Sequence, residues 1–133
     1  MDRVVARHCA AAVGWVSIAS GLGLVLAPSS MARLYGLPAR PWLCRALGVR
    51  DVAIGMGLVA SPRWRPWMLA RGAGELCDGV LIGVAAIGGR PRLHRLTMAA
   101  GAWLLGAAEI ALAGAGRRPG PRATAGPGGA PPR

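Results

Sequence analysis

The chain alternates four long apolar runs with short polar connectors. The first run, residues 9–28 (CAAAVGWVSIASGLGLVLAP), has no charge. At about 1.5 Å per helical residue it covers about 30 Å, the hydrocarbon thickness of a bilayer. Pro28 and Ser29 then break it. The second run spans 43–60, the third 67–87, and the fourth 93–115, whose interior beyond Arg95 is interrupted only by Glu109. The connectors are SMARLYGLPARPW, SPRWRPW and GRPRLHR. MARLYGL reads as a short interfacial turn of helix. Tyr35, Trp42, Trp64 and Trp67 suit the headgroup layer, and Pro66 is placed to open a helix.

A soluble four-helix bundle would put a polar stripe on every helix, and the first and fourth runs have none. Helices apolar all round belong in a membrane or a large core, and 133 residues cannot build a core that hides four of them. The expected fold is therefore all-α: a polytopic membrane protein, an antiparallel four-transmembrane-helix bundle over residues 1–115. A signal peptide is the rival reading of the first run, since Arg3 and Arg7 precede it. That run is longer than the usual apolar region of about 7–15 residues, which favours a retained span. Residues 116–133 (GRRPGPRATAGPGGAPPR) offer almost nothing to bury and are expected to be a disordered tail.

Charge refines the topology. All 16 basic residues are Arg, with no Lys, Asn, Gln or Phe, a pattern of GC-rich coding that carries little functional meaning. The net charge of +11 invites a nucleic-acid reading, but the arginines sit mostly between the apolar runs, as lipid-headgroup anchors do. No nucleic-acid partner is expected. With four spans, eight arginines (Arg3, Arg7, Arg63, Arg65, Arg117, Arg118, Arg122, Arg133) lie on the side of the termini and six (Arg33, Arg40, Arg45, Arg90, Arg92, Arg95) on the other. That bias places both termini in the cytoplasm of a multi-pass inner-membrane protein.

Chemistry is sparse. Cys9, Cys44 and Cys77 have no CxxC spacing, and His8 and His94 are the only histidines, so no metal site is expected. The cysteines read as small buried hydrophobes. No Ser/His/Asp set is evident, and GLGLV and GMGLV lack the lysine of a phosphate loop. Neither a cofactor nor catalysis is expected.

The spans nevertheless carry charge. In the second, Gly48, Asp51 and Gly55 share a helical face beside Arg50. In the third, Arg71, Glu75 and Asp78 share one. In the fourth, Ala102, Gly106, Glu109 and Ala113 align, and in the first, Gly14, Ser17 and Gly21. Small residues let membrane helices approach, and polar groups among them bond across. A charge at mid-span costs about 2.5–3.5 kcal/mol, so Arg50, Asp51, Arg71, Glu75, Asp78 and Glu109 are expected to face inward and pair. Arg71 and Glu75 suit a same-helix pair, and Arg50 can reach a carboxylate of the third span or the interface. Four acids against two arginines leave a surplus, to be protonated, exposed to a wet cavity, or bonded to Ser17 or Ser20.

From about residue 10 to 114 the chain resembles uncharacterised four-helix membrane proteins of bacteria, a unit that occurs alone or ahead of a polyketide-cyclase/START-like domain. The resemblance rests on G-x-R-[DE]-x-x-x-G, here Gly48, Arg50, Asp51 and Gly55, and on A-R-x-x-G-[DE]-x-x-D, here Ala70, Arg71, Gly74, Glu75 and Asp78. It implies a membrane bundle with a polar face and leaves the function open; the START-like domain has no counterpart in this sequence. The expected role is that of a non-enzymatic membrane module that binds a lipid-like or small hydrophobic molecule, or a partner subunit, through the polar cluster. The alternative is a small transporter or proton-coupled carrier. The expected partners are the lipid bilayer and a further copy of the chain or a membrane subunit.

Overall fold

The computed structural model describes residues 3–87 and 92–115. The expectation of disorder for 116–133 lies outside them. Among the described residues there are five helices and no strand: α1 (Arg3–Leu26), α2 (Pro28–Tyr35), α3 (Pro41–Ala60), α4 (Trp64–Ile87) and α5 (Arg92–Gly114).

Proline and glycine set the boundaries. Pro28 ends α1 early, because the residue before a proline is pushed out of the helical region, and then starts α2. The short helix expected in MARLYGL is thus α2, begun three residues sooner. Gly36, at φ 71°, closes it in the left-handed conformation that other residues resist. Pro41 opens α3, and Ser61 before Pro62 ends it in extended backbone. Pro66 sits in the first turn of α4, where its missing N–H costs nothing, so α4 starts at Trp64 rather than Trp67.

The helices pack as two antiparallel pairs, α1 on α3 and α4 on α5, which meet mainly through α3 and α4. Glycine permits each close approach. A Cβ on Gly48 would stand 2.5 Å from the Gly21 carbonyl oxygen, and one on Gly55 would stand 2.6 Å from that of Gly14. The second pair repeats the device. A Cβ on Gly72 would lie 2.8 Å from the Gly106 oxygen, and the indole of Trp103 lies over Gly79 beside Ala99. The Trp67 ring lies over Gly57 and stays exposed on its outer side, whereas Trp64 is partly buried against the core.

Arg7 spans the same α1–α3 seam. Its Nη1 donates to the Leu58 carbonyl at 2.6 Å and its Nη2 to that of Val59 at 2.7 Å. These belong to the last turn of α3, whose carbonyls lack partners within the helix. Charged hydrogen bonds of this kind contribute about 1.5–3 kcal/mol. Arg7→Met is expected to lower stability by about 2 kcal/mol, read from denaturation of the detergent-solubilised protein. No change would mean that water or detergent serves those carbonyls equally well.

α1 and α5 are each long and apolar enough to cross a membrane, with only 28% and 22% of their most apolar stretches buried. Trp15, Leu22, Trp103 and Leu104 lie exposed on them. α3 and α4 are less apolar because they carry Arg45, Arg50 and Asp51, and Arg65, Arg71, Glu75 and Asp78.

Candidate functional site

Two apolar layers enclose a charged belt. At the α2 end, Leu24, Ala32, Leu37, Cys44, Ile82 and Ala99 form one layer. At the other end, Ala10, Ile54, Leu58, Met68 and Ala113 form the second. Met68 and Ile82 stand about 21 Å apart along α4 at the helical rise. Arg71, Glu75 and Asp78 fall between them, which places the belt near the middle of the bundle.

All six charged residues named from the sequence converge here. Arg50 grips Asp78 with two parallel hydrogen bonds, Nη1 to Oδ1 at 3.0 Å and Nη2 to Oδ2 at 2.6 Å, joining α3 to α4. The same guanidinium donates to its neighbour, Nε at 3.0 Å and Nη2 at 2.8 Å from Asp51 Oδ1. This bidentate fork is the strong form of an arginine–carboxylate contact. Arg71 pairs with Glu75 one turn along α4, lies 3.6 Å from Asp51 Oδ1 through Nη1, and lies 3.8 Å from Glu109 Oε1 through Nε. Asp51 therefore bridges both arginines, and Arg71 is shared by carboxylates from three helices.

The belt is not saturated. Asp51, Arg71 and Glu109 are buried, yet Nε and Nη1 of Arg71 and both carboxyl oxygens of Glu109 have no hydrogen-bond partner among the described residues. The contacts at 3.6 and 3.8 Å are Coulombic only. Ser17 and Ser20 do not relieve the surplus. Ser17 Oγ donates to the Val13 carbonyl at 2.9 Å and Ser20 Oγ to that of Ser17 at 3.2 Å, the local back-bonding typical of helical serines. Ser17, fully buried, instead lies between Gly14 and Gly21 on the packed face of α1.

Beside the belt is a cavity of about 290 Å³. Its polar floor is Asp51, Arg71, Glu75 and Asp78, and its apolar wall includes Leu24, Leu37, Leu47, Ile82, Met98 and Leu105. Tyr35 lines it too, half-buried, so it is not a free headgroup anchor. The volume is near the small end of the range of about 300–1,000 Å³ for ligand sites.

Several contributors carry no obvious mark in the sequence. Gly72 and Gly79 make the α4–α5 packing, and their i, i+7 spacing around Glu75 is the available signal. Arg95 Nη1 donates to the Ala85 carbonyl at 2.6 Å, and His94 Nε2 lies 3.1 Å from the Leu34 carbonyl, tying α5 to α4 and α2. Only Cys44 is a buried cysteine; Cys9 and Cys77 are exposed, against the expectation of three buried hydrophobes. Among the described residues no group of three or more His, Cys, Asp or Glu is disposed to hold a metal. Comparison with protein-family models, with curated proteins and with solved structures gives no match.

Proposed function

We propose that the protein is an integral inner-membrane module in which α1, α3, α4 and α5 all span the bilayer and whose central cavity binds a small amphipathic molecule without transforming it. The cavity carries this reading, since ionisable groups from two separate helix pairs form its floor and aliphatic side chains its wall. The charges that make α3 and α4 less apolar are largely paired with one another inside the bundle, as intramembrane charges are. The proposal keeps the chain with the bacterial four-helix modules it resembles, with both termini cytoplasmic and a second copy or a membrane subunit as neighbour.

A cysteine-free background carrying Ser30→Cys or Ser61→Cys tests the spans. A membrane-impermeant maleimide is expected to label position 30 in intact cells and position 61 only after lysis. Labelling of both from one side would mean that α3 does not cross. Native mass spectrometry of the detergent-purified chain tests the binding role: a stoichiometric retained mass is expected, lost in Glu75→Gln. A second reading, a proton-coupled carrier, is favoured by Glu109, a buried carboxyl with no hydrogen-bond donor among the described residues. Flux driven by a pH gradient in proteoliposomes would select it.

A further inference from the structure

If the cavity is a binding site, as proposed above, it also has a chemical preference and a direction of entry. Its floor holds three carboxylates, Asp51, Glu75 and Asp78, against the single guanidinium of Arg71. Arg50 neutralises part of the excess, through its contacts to Asp78 and Asp51. The remaining field at the floor is negative, and in a low-dielectric bundle it favours a cation. Arg71, only 6% exposed, is paired with Glu75, and its Nε and Nη1 are buried out of reach of a ligand, so the carboxylates decide what the floor attracts.

The shape supplies the rest. Leu24, Leu37 and Ile82, all buried, close the end beneath α2. Towards the side, the lining residues are open: Val16 of α1 is 65% exposed and Leu105 of α5 is 47% exposed, and Gly101, one turn before Leu105 on α5, is exposed. α1 and α5 hardly touch, because each is engaged by its own partner. The cavity thus opens laterally at mid-helix, towards the position of the acyl chains in the proposed membrane orientation.

We infer that the cavity takes a single-chain amphiphilic amine from the bilayer through the gap between α1 and α5, its ammonium set against Glu75 and Asp78. The aliphatic wall of Leu47, Met98 and Leu105 receives the chain. A volume of about 290 Å³ has no room for two acyl chains.

The test uses the full chain in detergent and three probes of equal chain length: 2-amino-1-octanol, 1-octanol and octanoate, followed by native mass spectrometry. One equivalent of the amino alcohol is expected to bind at least tenfold more tightly than 1-octanol, and octanoate not at all. Asp78→Asn is expected to reduce that preference at least fivefold. Because Asp78→Asn also disturbs Arg50, Gly101→Leu provides an independent variant. A Cβ at 101 meets nothing within 4 Å, so this helix keeps its fold while the leucine fills the mouth. Gly101→Leu is expected to weaken the amino alcohol at least tenfold with unchanged helicity. Binding of 1-octanol or octanoate as tight as the amino alcohol, still blocked by Gly101→Leu, would overturn the amine preference and leave the cavity a binding site. Failure of all three probes to bind would overturn both.

Discussion

Arg71→Met is expected to cost about 3–5 kcal/mol of stability, the range for breaking a buried ion pair by removing one partner. The reason is its position. Arg71 is the shared counter-charge of Asp51, Glu75 and Glu109. Arg50 can hold Asp51 without it, since it already donates two hydrogen bonds there. Glu109 would be left without a nearby cation and Glu75 with only the more distant Arg50, which lies over neighbouring Gly74, so both would have to take up protons or separate. Neutralising both in the same chain, as Arg71→Met with Glu75→Gln and Glu109→Gln, is therefore expected to restore most of the loss. Denaturation of the detergent-solubilised variants by SDS reads both effects. A single substitution costing less than about 1 kcal/mol, the scale of an exposed pair, would mean that these carboxyls are already neutral in the native bundle.

Gly48→Val is expected to cost about 3 kcal/mol, at the upper end of overpacking penalties. Its Cβ would meet the Gly21 carbonyl oxygen at 2.5 Å and Leu24 Cβ at 2.9 Å. The first of these is backbone of a packed helix, so rotamer changes give no relief and α1 must move away from α3. Gly21→Ala in the same chain would not compensate, because its own Cβ meets the Gly48 oxygen at 2.6 Å. Gly83→Ala is the contrasting case. Nothing lies within 4 Å of the added carbon, and removing a mid-helix glycine is expected to gain about 0.5–1 kcal/mol. Equal thermal stability of the Gly48 and Gly83 variants would contradict the seam.

Local signals were legible in the sequence, and the order of helix pairing was not. Helical spacing placed Gly14 and Gly21, and Gly48 and Gly55, on single faces, and these faces meet. The grouping of Arg50, Asp51, Arg71, Glu75, Asp78 and Glu109 was legible because isolated charges in apolar runs have few alternatives. The choice of partners was hidden. Arg7 reads as a headgroup anchor until α3 is known to end beside it. Ser17 and Ser20 read as partners for carboxylates, but their own helix offers nearer acceptors. A cavity beside the charges was an option in the sequence, but its place and its walls were out of reach. It exists because α1 and α5 are each occupied elsewhere, a fact of pairing order that residue spacing does not encode.

The two same-helix contacts, Arg50 to Asp51 on α3 and Arg71 to Glu75 on α4, bear on how such a chain is made. On the four-span reading, helices leave the ribosome in order, and α3 reaches the insertion machinery before α4 has been synthesised. A lone arginine and a lone aspartate would each resist release into lipid. As neighbours they arrive partly neutralised, and α4 brings its own internal pair. The bond that joins them, Arg50 to Asp78, becomes available only once both are present. On that reading each of the two helices carries its charges towards the membrane already in part balanced, and the link between them completes the balance.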